Sequence, residues 1–209
     1  GAGPSGLTCA YYLARLGYHV DVYEAEDRPG GIMSYGIPDY RLPGNIIERE
    51  IRNIERTGVN IILNTKIGVD VSFRSLQKNY DAIFIAIGAQ KTLHLGIPGE
   101  DLEGVYHGLD FLKRVILKKD LDFTGKKVAV IGGGNTAMDA ARVAKRLTGV
   151  KNVRLVYRRT KKQMPADEEE LDLALADGVE FCELLAPKAL NGAVLTCDVM
   201  ELGEPDASG

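Results

Sequence analysis

The sequence predicts an α/β fold, because the pattern G-x-G-x-x-[G/A] occurs twice and each copy opens a stretch with helical spacing of apolar residues. The first copy is residues 1–6 and the second is residues 132–137. The second copy follows a short apolar strand at 128–131 and leads into a helix that reaches Leu147. Strand, glycine turn and helix in this order are typical of nucleotide-binding parallel sheets. We therefore expect two Rossmann-like dinucleotide-binding domains with parallel sheets.

Each small residue of the pattern has its own physical task. The first glycine, Gly1 or Gly132, allows the tight turn, and the second, Gly3 or Gly134, lets the backbone approach a pyrophosphate. The third position lets the helix pack closely on the strand. One copy alone could be a turn without a ligand, or part of another nucleotide fold such as a methyltransferase. Two copies indicate two dinucleotides, which points to a flavin together with a nicotinamide.

Composition excludes several other classes of protein. The 209 residues are 45% hydrophobic, with a net charge of −3 and a pI near 5.7, so no basic surface for nucleic acid or an anionic membrane is indicated. The longest apolar run, residues 82–89, is far shorter than the roughly 18 residues of a membrane helix. Cys9, Cys182 and Cys197 form neither a C-x-x-C pair nor a metal-ligand cluster. We therefore expect no metal site and a reducing, cytoplasmic compartment.

The first glycine turn is followed by a helix and a short strand. The helix carries Leu7 on its apolar face and stops at Gly17, and the strand ends at Glu24. Glu24 stands 23 positions after Gly1. An acid at this place can accept hydrogen bonds from the ribose hydroxyls of an adenosine.

Two loops follow this strand. Residues 28–33 contain paired glycines, which permit close approach of the backbone to a ligand. The irregular segment 34–43 carries Arg41 among prolines and aromatic residues. A long loop of this kind is often functional, and for Arg41 a ligand contact and a solvated surface position are equally compatible with the residues alone.

The rest of the first part reads as one helix and two strands. Asn45 is the predicted cap of a helix that stops at Gly58, and residues 59–63 follow as a strand. Residues 81–88 form an apolar run typical of a fully buried parallel strand. This strand ends at Gly88, where the backbone could meet a phosphate.

In the second part, basic residues follow the strand that comes after the glycine turn and its helix, whereas the first part has an acid at the end of the corresponding strand. A helix over 109–118 leads to the second glycine turn, and 152–157 is the predicted second strand. Arg158 is placed where Glu24 stands in the first part, and Arg159 follows it. A guanidinium matches phosphate geometry, whereas an acid repels a 2′-phosphate, so this site is predicted to prefer NADP. The alternative is a solvated basic patch.

The end of the chain reads as a helix and a hairpin. Residues 164–170 start the helix, with acids in the first turn where the helix dipole favours them. Acid–base catalysis by this cluster is the less favoured interpretation. The helix ends at Gly178, and strands at 181–185 and 194–202 follow, with a hairpin turn at 191–192.

The chain divides at a turn-rich passage, residues 96–101. We expect a partial FAD-binding domain over residues 1–95 and an NADP-binding domain, truncated at its C-terminal end, over residues 96–209. The chain opens on the first glycine of a turn and closes on a polar run at 204–209 that ends no recognisable element. We therefore interpret it as a fragment whose first domain is incomplete.

Eight short motifs, taken together, resemble one known family. They are GAGPSG at 1–6, GG at 30–31, GIPDYRLP at 36–43, AIGA at 86–89, GIPGE at 96–100, GGGNTAMD at 132–139, YRR at 157–159 and MPA at 164–166. The chain resembles the two-dinucleotide flavoproteins of the glutamate synthase small subunit, a group that includes the flavin part of dihydropyrimidine dehydrogenase and related diaphorase subunits. The resemblance covers essentially the whole chain, and 36–43 is its most specific part.

The resemblance implies that FAD is held by the first part and NADPH by the second. The implied FAD contacts are Gly3, Pro4, Ser5, Gly6, Leu7, Glu24, Gly31, Ile32 and Arg41, with Ile67 at the adenine end. The implied NADPH contacts are Gly133, Gly134, Asn135, Thr136, Arg158 and Arg159. In the family a cysteine-rich iron–sulfur segment precedes the flavin turn, which implies an iron–sulfur domain or subunit as the electron partner.

The expected activity is therefore flavin-dependent oxidation of NAD(P)H, with hydride passing to FAD and electrons passing on to iron–sulfur centres. The cofactors carry this chemistry, so no side chain is predicted as a catalytic acid, base or nucleophile. Two alternatives remain. One is a nucleotide-binding or assembly module without turnover. The other is a disulfide reductase, which the lack of a C-x-x-C pair disfavours.

Overall fold

The computed structural model of the chain describes residues 1–89, 91–118 and 121–203. The chain divides into two compact units, residues 1–91 and 92–209. None of the helices in the described residues combines the length and the apolarity needed to cross a membrane.

Within residues 1–89 the first unit contains four helices and two short strands. They are α1 (Pro4–Arg15), β1 (Asp21–Tyr23), α2 (Ile32–Tyr35), α3 (Gly44–Glu55), β2 (Asn60–Ile62) and α4 (Phe73–Asn79). β1 and β2 pair in parallel, with Val22 opposite Ile61. Two parallel strands need a crossover connection, and helices α2 and α3 supply it.

The core of the first unit packs α1 and α3 against the two strands. Leu7 and Ala10 lie three residues apart on α1, and Ile47 and Ile51 lie four residues apart on α3, so each pair shares one face of its helix. Val22 of β1 is buried in the same cluster. This packing holds the start of α1, and therefore the first glycine turn, next to the end of β1.

Two expectations for the first unit are wrong. Helix α3 begins at Gly44 with Pro43 before it, so Asn45 lies inside the helix and does not cap it. Residues 81–88, predicted as a buried parallel strand, form no strand, and Ile85 and Ile87 are 64% and 75% exposed. A strand exists only through hydrogen bonds to a neighbour, and β1 and β2 pair with each other alone in the described residues.

Within residues 92–118 and 121–203 the second unit contains a parallel sheet, a hairpin and three α-helices. The elements are α5 (Gly108–Ile116), β3 (Lys127–Ile131), α6 (Asn135–Arg146), β4 (Asn152–Val156), a 3₁₀ turn (Lys161–Gln163), α7 (Glu168–Ala176), β5 (Glu180–Cys182), β6 (Leu185–Asn191) and β7 (Val194–Val199). Strands β3, β4 and β5 form a parallel sheet in that order, and β6 and β7 form an antiparallel pair. The predicted α/β class with parallel sheets is confirmed.

Helix α6 and strand β4 form the centre of the second unit. Met138, Ala141 and Ala144 follow one another at helical spacing on α6 and are fully buried. Val153 and Leu155 alternate on β4 and are also fully buried. The helix therefore lies flat on the sheet, and its first residues stay at the end of β3.

Several boundaries in the second unit differ from the sequence expectation. Helix α5 ends at Ile116 rather than at 118, and β7 ends at Val199 rather than at 202. The strand predicted over 181–185 is interrupted, because Leu184 adopts a φ of 58° between β5 and β6. The hairpin turn is confirmed, with Gly192 at a φ of 56°. The polar run at 204–209 lies outside the described residues.

A buried ion network joins α6 to α7. Arg142 is buried, and its Nε donates to Oδ2 of Asp177 at 2.8 Å while one terminal nitrogen donates to Oε2 of Glu170 at 3.2 Å. Arg146 donates to both carboxylate oxygens of Asp177. Because all these charges are paired and hydrogen-bonded, the network fixes the second half of α6 against α7.

Replacing Asp177 with Asn should destabilise the protein more than the same change at an exposed pair. Arg142 and Arg146 would lose their charged partner at position 177, and the loss of charged hydrogen bonds should lower the free energy of unfolding by about 1.5–3 kcal/mol. The matched control is Asp198→Asn, because Asp198 pairs with Lys188 where both side chains are more than half exposed. That change should alter stability by no more than about 1 kcal/mol. Urea unfolding at neutral pH measures both, and equal losses would contradict the network.

The same carboxylate predicts part of the acid sensitivity of the protein. Burial acts to raise the pKa of Asp177, but hydrogen bonds from Arg142 and Arg146 hold that pKa below its ordinary value. Its stabilising contribution is therefore present above the unfolded-state pKa of about 3.9 and is lost as the pH falls through the lower folded-state pKa. As the pH is lowered from neutral to values near the folded-state pKa, the free energy of unfolding should fall less in Asp177→Asn than in the parent protein.

Candidate functional site

The first glycine turn is held by hydrogen bonds to both the N–H and the carbonyl oxygen of Ala2. The Ala2 N–H donates to Oε2 of Glu24 at 2.7 Å, and the Gly30 N–H donates to the Ala2 carbonyl oxygen at 2.7 Å. Ala2 itself is fully buried. The turn, the end of β1 and the loop after it therefore meet at this one residue.

Glu24 has a structural task that sequence reasoning missed. It follows β1 directly and is only 8% exposed. Oε2 accepts the Ala2 N–H, and Oε1 accepts the Glu26 N–H at 3.0 Å. Each carboxylate oxygen has a second lone pair, so the predicted bonds to ribose hydroxyls remain chemically possible. That ribose contact stays a prediction.

The paired glycines of the loop lie directly against the turn. Gly31 adopts a φ of 55°, and a Cβ atom at this position would lie 2.9 Å from the Cα of Gly3. Gly30 adopts a φ of 113°, and a Cβ atom there would lie 2.0 Å from Oγ of Ser34. Both conformations favour glycine, and neither position has room for a side chain. The backbones of Gly3 and Gly31 are therefore packed directly against each other.

Tyr35 anchors this loop through hydrogen bonds of its hydroxyl group. The sequence alone did not identify this role. Its ring is buried, and its hydroxyl donates to Oδ1 of Asp27 at 2.7 Å and accepts the Arg28 N–H at 3.1 Å. Burial and the hydrogen bond to Asp27 raise the pKa of Tyr35, so the phenol stays protonated and donating. The only available sequence signal was its place inside a segment with a family motif.

Helix α1 begins at the turn without a side-chain cap. Gly3 is its N-cap residue and Pro4 its first residue, and no side chain accepts the free N–H groups of the first turn. These N–H groups and the positive end of the helix dipole favour an anion. Pro4 and Ser5 are exposed at this end.

Two of the residues predicted to contact FAD, Gly6 and Leu7, are required for packing inside the first unit. A Cβ atom at Gly6 would lie 1.9 Å from the Gly1 carbonyl oxygen, so glycine is needed there for the helix to approach the turn. Leu7 is 3% exposed, and its N–H donates to the Gly3 carbonyl oxygen. The side chain of Leu7 belongs to the core.

The remaining predicted residues of the first unit are spread over separate loops. Ile32 starts α2 next to Gly31 and is partly exposed, and Arg41 lies exposed in the turn after α2. Ile67 is half-buried and bridges to Val71. Gly88 is exposed with a φ of 71°.

The segment before Gly88 passes close to the glycine turn. A Cβ atom at Gly1 would lie 2.5 Å from the Ala86 carbonyl oxygen, and one at Gly6 would lie 3.3 Å from the Ala86 Cβ. Residues 81–89 therefore contact the first turn although they form no strand.

In the second unit the three glycines of the turn have three different surroundings. Gly132 has a φ of 139°, and a Cβ atom there would lie 3.3 Å from the Cβ of Ala137. A Cβ atom at Gly133 would lie 2.5 Å from Cε2 of Tyr157. Gly134 has no heavy atom within 4 Å of its Cβ direction. Gly134 is thus the position at which the backbone is open to a ligand.

Helix α6 starts at this open glycine. Gly134 is its N-cap residue, no side-chain cap is present, and Asn135 and Thr136 are exposed in the first turn. Oδ1 of Asn135 accepts the Asp167 N–H at 3.3 Å. The side of α6 that faces the glycine turn therefore offers free N–H groups, as at α1.

The structure corrects the expected equivalence of Glu24 and Arg158. The Glu24 N–H donates to the carbonyl oxygen of the last residue of β2, and the Tyr157 N–H donates in the same way to the last residue of β5. Tyr157, and not Arg158, therefore occupies the place of Glu24. The expectation compared Glu24, taken as the last residue of its strand, with Arg158, the residue after its strand. Both strands end one residue earlier than expected, β1 at Tyr23 and β4 at Val156, so the residues that directly follow them are Glu24 and Tyr157.

Arg158 and Arg159 follow at the start of the next loop. Arg158 is exposed and Arg159 is half-buried. In the part of the chain that the structure describes, no carboxylate pairs with Arg158. An unpaired guanidinium two residues beyond the end of β4 is available to a ligand phosphate.

Metal ligands are not grouped in either unit. Across residues 1–89, 91–118 and 121–203, no three His, Cys, Asp or Glu side chains come together in a way that could hold a metal ion.

A comparison with protein families decides which group this arrangement belongs to. Residues 1–182 match the family model described as pyridine nucleotide-disulphide oxidoreductase. The chain belongs to the pyridine nucleotide-disulphide oxidoreductase family. The two glycine turns lie within the matched residues, so the family match and the geometry concern the same part of the molecule.

Relatives within this group carry the resemblance noted from the motifs. The chain is 46% identical over 216 residues to the NADP(+)-dependent formate dehydrogenase subunit beta of Moorella thermoacetica, covering all of this chain and 30% of that protein. It is 36% identical over 225 residues to the glutamate synthase [NADPH] small chain of Escherichia coli, covering all of this chain and 48% of that protein. The chain thus spans less than half the length of these two relatives.

A solved structure of similar fold is Mycobacterium tuberculosis FprA in complex with NADPH. It superimposes with a TM-score of 0.77 at 23% identity, covering 92% of this chain and 60% of that one. At that level of identity the similarity concerns the fold. The Rossmann-like architecture expected for this chain is thereby confirmed.

Two neighbouring glycines should differ in how much stability the protein loses when each is replaced by alanine. Gly133→Ala would force a methyl group into the Tyr157 ring and should lower the free energy of unfolding by about 1–3 kcal/mol. Gly134→Ala places its methyl group in open space at a negative φ and should change stability by no more than about 0.5 kcal/mol. Thermal and urea unfolding measure both variants, and similar losses would contradict the described packing.

Proposed function

We propose that this chain is the nucleotide-binding part of a flavin-dependent NADPH oxidoreductase. NADPH donates hydride to FAD, and the electrons continue to an iron–sulfur partner. The observation that carries the proposal is the doubled arrangement of a glycine turn, an uncapped helix start and an open backbone position. Each copy suits the pyrophosphate of one dinucleotide.

The first unit fits FAD. The uncapped start of α1 opens at Gly3, where the one heavy atom within 4 Å of the Cβ direction is the Gly31 Cα at 3.9 Å, so the backbone there is accessible to a ligand. Gly1, Gly3, Pro4 and Ser5 would hold the pyrophosphate, and Glu24 would hold the ribose. The residues we assign to the rest of the cofactor are Gly6, Leu7, Gly31, Ile32, Arg41, Ile67 and Gly88, with Gly6 and Leu7 acting through packing.

The second unit fits NADPH. Gly132, Gly133 and Gly134 form the turn, and Asn135 and Thr136 open α6 beside it. A 2′-phosphate carries close to two negative charges, and the guanidinium groups of Arg158 and Arg159 can donate several charge-assisted hydrogen bonds to it. These contacts support NADP over NAD at this site.

The names of the relatives support the same coenzyme. One is described as NADP(+)-dependent and the other as an NADPH enzyme. Because the chain spans 30% and 48% of these proteins, the activity of the whole protein and its iron–sulfur partner remain proposals. The partner is supported by the motif resemblance to the glutamate synthase small subunits.

The protein contributes binding and orientation to this reaction. FAD, when bound, supplies two-electron acceptance from a nicotinamide and one-electron release to iron–sulfur centres. The side chains around the turns position phosphates and riboses and need not move protons. For this reason we assign no catalytic acid, base or nucleophile.

A disulfide reductase is disfavoured despite the name of the family. Cys9, Cys182 and Cys197 are free thiols, and the sequence has no C-x-x-C pair that could exchange with a flavin. Three free thiols also support a reducing compartment, and we propose a cytoplasmic location.

The flavin spectrum of the complete protein tests the proposed function. We expect a flavin absorbance that bleaches when NADPH is added anaerobically. In Gly134→Ala the flavin content should be unchanged, while the KM for NADPH should rise at least about fivefold, because the methyl group obstructs the approach to the pyrophosphate. A protein that binds nucleotide without flavin colour would instead be a binding or assembly module, and this proposal would be wrong.

Coenzyme preference tests the assignment of the second unit. Arg158→Glu combined with Arg159→Ala should abolish or invert a preference for NADPH over NADH of about ten- to a hundredfold, which corresponds to about 1.5–3 kcal/mol. Flavin content should not change, and salt should weaken the parent preference because exposed charges are screened. The measurement is the ratio of kcat/KM for the two coenzymes.

Arg154→Ala is the matched control for this experiment. Arg154 lies on β4, the strand that precedes the two arginines, and is exposed and paired with Glu180 at 2.8 Å, so its loss should leave the ratio unchanged. If the parent already uses both coenzymes equally, the arginine pair is a solvated patch.

A further inference from the structure

Tyr157 occupies the position at which the first unit has its buried acid. In both units this residue directly follows the strand that comes after the helix of the glycine turn, and its side chain reaches the middle residue of that turn. Glu24 accepts the N–H of Ala2, whereas the ring of Tyr157 lies against the α-carbon of Gly133. The two units therefore use different chemistry for the same contact.

The ring of Tyr157 is closely packed on Gly133 and buried there. A Cβ atom at Gly133 would lie 2.5, 2.8 and 2.9 Å from three ring carbons of Tyr157, so the ring fills the space of the missing side chain. Tyr157 is only 9% exposed. Its backbone is fixed as well, because its N–H donates to Cys182 and its carbonyl oxygen accepts the Leu185 N–H. The backbone of Tyr157 is thus held by the sheet, and its ring is packed against the glycine turn.

The hydroxyl of Tyr157 reaches in the other direction, to the loop that carries the arginines. It donates to the Gln163 carbonyl oxygen at 2.7 Å. Gln163 in turn closes a capping box with Thr160, whose N–H donates to the Gln163 side chain. Gln163 therefore links Thr160, within the loop from Arg158 to Gln163, to the hydroxyl of Tyr157.

The far end of the same loop is attached to the glycine turn. The Ala166 N–H donates to the Gly133 carbonyl oxygen at 3.0 Å, and the Asp167 N–H donates to Oδ1 of Asn135 at 3.3 Å. Residues 158–167, which we call the arginine loop, are therefore anchored at one end by Tyr157 and at the other by the turn and the first residue of α6.

We propose that Tyr157 is a positioning residue for coenzyme recognition. Its ring and hydroxyl set the separation between the open backbone at Gly134, which suits a pyrophosphate, and Arg158 and Arg159, which suit a 2′-phosphate. The two phosphate groups of one coenzyme are then recognised at a fixed spacing, and less ordering of the arginine loop is needed on binding. This inference rests on the proposed function, because it assumes that the second unit binds NADPH.

Tyr157→Phe separates this role from simple packing. The ring stays against Gly133, and only the hydrogen bond to the Gln163 carbonyl oxygen is lost. The arginine loop then loses one of its anchors, while the glycine turn keeps its shape. The affinity for a 2′-phosphate should fall, and the affinity for the rest of the nucleotide should not.

Calorimetric titration of the flavin-loaded complete protein with two small probes tests this expectation. Adenosine 2′,5′-bisphosphate carries the 2′-phosphate, and 5′-AMP lacks it. In Tyr157→Phe the bisphosphate should bind about three- to tenfold more weakly, and 5′-AMP should change by less than about twofold. Tyr106→Phe is the matched control, because Tyr106 lies in the same unit and packs on Phe111 and Phe123. It should leave both affinities unchanged.

The outcomes distinguish the inference from the function on which it rests. Equal weakening of both probes, or a lower Tm with an unchanged affinity ratio, would show that Tyr157 serves stability alone and would overturn the inference. A parent protein that binds the two probes equally would refute the proposed NADPH site itself. A selective loss for the bisphosphate in Tyr157→Phe, absent in Tyr106→Phe, is the result that supports the positioning role.

Discussion

The structure depends on one recurring contact, in which the residue that directly follows β1 or β4 contacts the middle residue of the glycine turn of its unit. In the first unit the contact is a charged hydrogen bond from the Ala2 N–H to the buried Glu24 carboxylate. In the second it is close packing of the Tyr157 ring on Gly133. Because the turn, the helix start and the strand end converge there, this contact decides where the free N–H groups of the helix point.

This arrangement divides the glycines of the turns into two kinds. Gly6, Gly31 and Gly133 are needed because a side chain would collide with backbone or with a tyrosine ring. Gly134 faces open space, and Gly3 has only the Gly31 Cα near its Cβ direction, at 3.9 Å. A glycine-rich motif therefore combines packing requirements with ligand access, and only the second kind of position reports directly on binding.

Binding and stability are carried by different ends of helix α6. Its first turn is uncapped and exposed at Asn135 and Thr136, whereas Arg142 and Arg146 in its second half are paired with acids at both ends of α7. Substitutions in the ion network should thus change stability without changing coenzyme preference. The family to which the chain belongs uses bound cofactors for chemistry, and this separation is consistent with a protein whose own task is to position them.

Local patterns in the sequence determined the α/β class, both glycine turns, the helices that follow them and the hairpin turn at Gly192, because each depends on residues close together in the chain. The tertiary structure decided what depends on neighbours distant in sequence. Residues 81–88 have the apolar pattern of a buried strand yet form none, since no described strand pairs with them. The register between neighbouring strands places Tyr157 directly after β4, as Glu24 directly follows β1, so Tyr157 lies against the turn and Arg158 does not take the place of Glu24. Strand register depends on partners distant in sequence, which local patterns do not reveal.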